Sequence, residues 1–189
     1  MTIIKNLLVL TLLLCSLAYG GSLTRWDILP AESTLTFTGT QNSAPVTGAF
    51  KSFSGTINVD PTQYENSNVD IVINVNSLSV AYAELATILI TPDWFNVKAF
   101  PQAEFKSTKI TKVDEKTYAA TGLLTIKNKS APITITFTGV ESPKDHATLE
   151  GKTTIKRSVF GVGEGEWSNS DVIKDDVLVH FKLVAVPKK

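Results

Sequence analysis

Apolar and polar residues alternate along most of this chain with a period of two. Leu35 and Phe37 alternate with threonines in TLTFTGT, and Val69, Ile71, Ile73 and Val75 share one face of VDIVINV. The same spacing recurs at Tyr118, Ala120, Gly122, Leu124 and Ile126, at Ile133, Ile135 and Phe137, and at Val177, Val179, Phe181 and Leu183. A strand points successive side chains to opposite faces, so each run predicts a half-buried β-strand, and the threonine, valine, isoleucine and aromatic content agrees. Turn-forming clusters separate the runs: DPTQYENSN, KNKS, SPKDH and GVGEGEWSNSD. TLTFTG at 34–39 and TITFTG at 134–139 look alike, but too few residues agree to argue a duplication. The pattern predicts one all-β domain over residues 21–189.

Two interruptions refine that picture. In VTGAFKSFSGTINV, Phe50 and Phe53 fall on opposite parities, and a bulge or sharp bend near Lys51–Ser52 would return both to one face. Glycines at 48 and 55 suit a sheet that curls into a barrel. The second interruption is TPDWFNVKAFPQAEFKST, residues 91–108, where an aromatic run sits between prolines. Thr91 as a cap, Pro92 at the first position and Asp93 near the dipole predict a helical turn near 92–97. Phe100 precedes Pro101 and is biased away from helix. Just upstream, AYAELATILI places Tyr82, Leu85 and Leu89 on one helical face. Residues 82–97 therefore read as one short helical excursion that covers a barrel end.

The amino terminus departs from the alternation. Lys5 is followed by the apolar run LLVLTLLLCSLAYG, which ends in small residues, the layout of a cleaved secretory signal with the mature chain starting at Gly21. The run Leu7–Ala18 is short for a bilayer span, which takes about 20 residues. Cys15 follows Leu14 rather than the small residue usual before a lipidated cysteine, so it reads as part of the signal's apolar core. The chain carries 18 basic and 18 acidic side chains, and the leader takes one lysine with it, leaving a net charge of −1. That balance gives no basic footprint for nucleic acid. Cys15 is the one cysteine, so the expected mature chain has no disulfide and no thiolate metal site.

Candidate chemistry is sparse. His180 lies inside the last strand and His146 in a turn, without metal-ligand spacing or the partners of a catalytic triad. GVGEGEW follows a strand and leads to no helix, so it reads as a mobile hairpin loop, not a phosphate or dinucleotide loop. NKS at 128–130 is a formal glycosylation sequon that a hairpin turn with Asn128 in the left-handed conformation explains equally well. No catalytic residue, metal or cofactor is expected, and the chain does not read as an enzyme. A barrel of about eight strands can be filled by its own side chains or hold one ligand, and periodicity does not separate these.

The order of motifs resembles the YceI-like family, exported lipocalin-like barrels associated with polyisoprenoid lipids. The resemblance runs from WDILPAESTLTFTG through VTGAFKSFSGTINVD, VDIVINVNSLSV, TPDWFNVKAFPQAEFKSTKI and YAATGLLTIKNKSAPITITF to IKRSVFGVG and DDVLVHFKLVA. It implies an extended antiparallel barrel with a long apolar tunnel, and hence a soluble periplasmic or secreted protein that carries or sequesters a long isoprenoid-type lipid. The inward face would draw on Phe37, Phe50, Phe53, Phe105, Leu124, Ile135, Phe137, Val179 and Phe181, with Trp94 and Phe95 as an aromatic plug. Arg157 is either a head-group partner or a surface arginine with no ligand role. Where such proteins carry a charged RDxH-like run, this chain has Leu85, Ala86, Thr87 and Ile88, which implies a greasier mouth and a related but different ligand. Rival readings are a small outer-membrane barrel, a lipid-modifying enzyme, and a stress-related exported protein with an incidental cavity. Scattered strand lysines and the AVPKK terminus speak against stable membrane insertion. Homodimerisation is left open.

Overall fold

The alternating runs form strands because a pleated sheet offers each of them one apolar and one solvated face. The computed structural model describes residues 23–60, 63–142 and 146–188; the expected signal and its cleavage point lie outside the described residues. In chain order the elements are β1 (Thr24–Ile28), β2 (Thr34–Gln41), β3 (Ala44–Phe50), β4 (Phe53–Val59), β5 (Asn68–Asn74), β6 (Leu78–Val80), α1 (Ala83–Leu89), β7 (Gln102–Lys112), β8 (Thr117–Ile126), β9 (Lys129–Ser142), β10 (His146–Lys156) and β11 (Asp176–Pro187). Neighbouring strands run in the order β1-β4-β5-β7-β8-β9-β10-β11, and β11 pairs back onto β1. That closes an eight-stranded antiparallel barrel. β2, β3 and β6 extend its wall at one end.

Bends make the extension. β1 and β2 pair in succession with the same edge of β11, Ile28 opposite Ala185 and Thr34 opposite Lys182. Ser33 fixes the corner between them: its hydroxyl donates to the Leu29 carbonyl at 2.7 Å and accepts from the Val184 N–H at 2.9 Å. β3 and β4 part at Lys51–Ser52, the bend that the phases of Phe50 and Phe53 require. The Ser77 hydroxyl accepts from the Ser52 N–H there at 2.9 Å. Gly48 lies opposite Phe37, and a Cβ at that position would run into the ring. The β8–β9 turn has Lys127 at φ 49° and Asn128 at φ 61°, the two left-handed residues of a tight primed hairpin.

The aromatic stretch differs from expectation. The helix lies upstream, at Ala83–Leu89, and no helical turn forms at 92–97. The Thr91 hydroxyl donates back to the Ile88 carbonyl at 2.7 Å instead of capping a new helix. The N–H groups of Trp94 and Asn96 both go to the Thr91 carbonyl, and Asn96 turns left-handed at φ 47°. The chain therefore reverses in stacked turns. Tyr82 is extended at the helix entrance and 71% exposed, so it does not join Leu85 and Leu89 on the buried face.

Candidate functional site

Inward residues meet in two ways along the barrel. Toward the end where β7 turns into β8, Ile28, Ile57, Ile110 and Ala185 are all at least nine-tenths buried and fill the interior. Toward the other end the walls stand apart around a cavity of about 820 Å³. Val69, Ile71, Ile73 and Val75, four successive inward positions of one alternating run, all reach its wall.

Every residue singled out from the sequence lies on that wall: Phe37, Phe50, Phe53, Trp94, Phe95, Phe105, Leu124, Ile135, Phe137, Arg157, Val179 and Phe181. Phe37, Phe50 and Phe95 form a ladder with ring centroids 5.5 and 5.8 Å apart, the second pair edge-on. Phe137 stacks on Tyr118 at 5.6 Å toward the packed end. Leu85 and Ile88 also face the cavity. The residues that both line the cavity and meet solvent are Pro45, Thr47, Ala81, Tyr82, Glu84 and Lys174. They place a mouth between the β2–β3 hairpin and α1.

Beside the mouth the end is roofed by residues 157–175, the connection from β10 to β11. The loop is no loose hairpin: Phe160 is 1% exposed, and Val162 is also buried. Trp94 packs beneath it against Trp167, with ring centroids 5.8 Å apart. Arg157 organises the roof. It is 4% exposed, so the surface reading of this residue is corrected. Its Nε donates to the Lys174 carbonyl at 3.2 Å, Nη1 to Val162 and Gly163 at 2.9 and 2.7 Å, and Nη2 to Trp167 and Ile173, both at 2.9 Å. A guanidinium has five N–H donors, and all five are spent on carbonyls, which leaves none for a lipid head group. Gly163, at φ 76°, lets the backbone approach; a Cβ there would collide with the guanidinium.

A lysine ties the roof to the wall. Lys127, with a side chain 7% exposed, donates to the carbonyls of Pro92 and Gly161 and to Glu164. Lys129 reaches the other Glu164 oxygen at 3.1 Å. Hydrogen bonds from Lys129, then Lys127, hold the Glu164 carboxyl below the usual glutamate range. Burial alone would raise the Asp175 carboxyl, but hydrogen bonds from Ser158 and the charges of Lys156 and Arg157 bring it down instead. Neither carboxylate is among the residues on the cavity wall. Among the described residues, no three histidine, cysteine, aspartate or glutamate side chains gather to hold a metal ion. His180 pairs with Glu150 on the outside of the barrel at 3.2 Å.

Sequence reasoning found the walls and missed the cage of carbonyls around Arg157. The one trace it left is the spacing of glycines at 161, 163 and 165, all with positive φ.

Known proteins share this architecture. A family model described as a YceI-like domain matches residues 26–185. A UPF0312 protein of Pseudomonas putida (strain W619) is 30% identical over 137 residues, 70% of this chain and 71% of the relative. The crystal structure of Burkholderia cenocepacia BcnA superposes with a TM-score of 0.81 at 34% identity, covering 85% of this chain and 100% of that one. A polyisoprenoid binding domain from Saccharophagus degradans, implicated in plant cell wall breakdown, shares the fold at a TM-score of 0.68 and 13% identity, over 86% of this chain and 98% of that one.

Proposed function

The chain belongs to the YceI-like family, and from that premise we propose that it is an exported, soluble protein that carries or sequesters a long isoprenoid-type lipid inside the barrel. The observation that carries this reading is the cavity: about 820 Å³, walled by aliphatic and aromatic side chains, and roofed by a loop whose buried cation is already satisfied. Each buried methylene contributes roughly 0.8 kcal/mol, so a hydrocarbon tail binds there without ionic or catalytic groups. A polyisoprenoid binding domain built on the same fold accords with this choice of lipid. The greasy mouth at Leu85 and Ile88 favours a ligand that differs in its head group from those of relatives with a charged run there.

A membrane barrel fits the outer surface poorly. Such a barrel presents an apolar outward band, whereas β10 turns Glu150, Lys152 and Lys156 to solvent. Among the described residues no helix is long and apolar enough to cross a membrane. In this reading residues 1–20 are a cleaved leader, and the mature barrel is periplasmic or secreted.

Native mass spectrometry of protein purified from its own host tests the proposal. A bound lipid that yields isoprenoid fragments is the expected result, and protein recovered at its bare polypeptide mass refutes the carrier role. Release by osmotic shock without detergent, with an amino terminus near Gly21, is expected for the exported form. An intact Met1 on protein recovered outside the cytoplasm refutes the leader.

A further inference from the structure

One seam in the cavity wall is incomplete. The ladder between β9 and β10 runs from His146 opposite Ser142 to Lys152 opposite Thr136 and stops there. Both strands continue beyond that point. Residues 153–156 stay paired with β11, and residues 132–135 stay paired with β8. Between these two stretches the wall has no strand pairing. Pro132 has no N–H to give a neighbouring strand, which suits a free edge. What spans the gap is a side chain: the Thr153 hydroxyl donates to the Thr134 carbonyl at 3.0 Å.

The gap is a window in a closed frame. At one end stands the Lys152–Thr136 pair. At the other stands the roof: Lys129, at the start of β9, holds Glu164 at 3.1 Å, and Arg157 follows Lys156 into its cage of carbonyls. Ile133, Ile135 and Ile155 line the cavity behind the window. In front of it Pro132 is exposed and lies opposite Leu123, which is 46% exposed. Apolar surface therefore runs from the outside of the barrel to its inside at a place where no ladder bars the way. The backbone groups on the two edges can bond water, so parting them breaks the Thr153 latch and no ladder.

Resting on the carrier reading above, we infer that this window is a side door: β9 and β10 part between residues 132–135 and 153–156, and an apolar chain passes sideways into the cavity there as well as through the mouth. The mouth presents Glu84 and Lys174 to an incoming chain, whereas the door presents Leu123 and Pro132. A second route changes how fast the chain exchanges and leaves its affinity alone, because the free energy of binding does not depend on the path.

The test is stopped-flow uptake of a fluorescent prenyl alcohol by protein carrying Thr134→Cys together with Thr154→Cys, compared in its oxidised and reduced forms. The two positions are exposed and stand opposite one another when the register is continued, and residues 21–189 contain no cysteine to compete for the bond. Parallel routes add, so bridging the edges slows uptake and release together by at least about twofold with Kd unchanged, and reductant restores both rates. Equal rates in the two forms overturn the side door and leave the carrier with its mouth alone. A probe that never binds the wild type removes the carrier reading and the door with it. Thr153→Val removes the latch. One hydroxyl-to-carbonyl bond shifts the opening equilibrium by about fivefold, so uptake rises by about threefold when half of it uses the door. An unmoved rate in that folded variant also overturns the door, which decides the question even where the disulfide does not form.

Discussion

Strand β11 passes through two environments without changing its pattern. Ala185 is 1% exposed and sits opposite Ile28, beyond the wall of the cavity. Two to eight residues earlier, Val177, Val179, Phe181 and Leu183 keep the same parity and face an open cavity. The packed half gains stability as any core does, from apolar area removed from water and close contact between side chains. The hollow half forgoes part of both. Its integrity depends on the roof, where Arg157 and Lys127 bind loop carbonyls together. A barrel that must stay open for a ligand thus shifts its stabilising contacts from the centre of the tube to its end.

The sharpest way to break this contrast is to remove Arg157. Arg157→Met keeps the length of the side chain but leaves five carbonyls without a donor. At about 1–3 kcal/mol per buried unpaired group, partly relieved by water, the loss should be at least about 3 kcal/mol in chemical denaturation. A loss under about 1 kcal/mol would mean that the roof is held by its apolar residues alone.

A matched pair of truncations measures the two halves directly. Ile110→Ala, in the packed half, should cost about 3–4 kcal/mol because it leaves a cavity among fixed neighbours. Ile135→Ala, on the cavity wall, should cost less than about 2 kcal/mol, since fewer protein atoms surround that side chain. Equal losses would show that the hollow half collapses onto itself in solution.

The carboxylate in the roof gives a smaller effect, visible through pH. The Glu164 carboxyl is held below its ordinary range, by Lys129 first and Lys127 second. It therefore contributes stability above the usual glutamate pKa and loses it as pH falls through that range and below. Thermal melts between neutral pH and about pH 3 should show a slightly shallower acid dependence in Glu164→Gln than in the wild type, because the pair is half-exposed and screened. Identical profiles would remove Glu164 from the account. The smallest expected effect is none: Cys15 is the one cysteine and leaves with the leader in the proposed reading, so reductant should not move the melting temperature of the mature protein. A shift of several degrees would contradict that.

The walls were legible because periodicity is a local property. Val69 through Val75 declare their shared face within seven residues, and the clash of parities at Phe50 and Phe53 locates the bend between them. The division into packed and hollow halves was not legible. Ile57 and Ile71 are the same residue type in the same alternation, and only the separation of the opposite wall makes one a core residue and the other a cavity residue. Arg157 was hidden for a related reason. Its partners are backbone carbonyls as far away as Lys174, and a carbonyl carries no residue-type signature. At 91–97 a plausible cap, Pro and Asp were overridden by the carbonyl of Thr91, which takes two N–H groups and reverses the chain.

The pairing of β11 has a kinetic corollary. One edge of this strand receives β1 and β2, from the first part of the described chain, while the other receives β10. The ring therefore has no closed form until residues 176–187 are available. Contacts that span the sequence this widely form late and slowly, after the loop-closure entropy has been met. Until then the growing polypeptide can be at most an open sheet with unmatched edges. The link that makes the barrel seamless is also the one that delays its completion until the last strand is made.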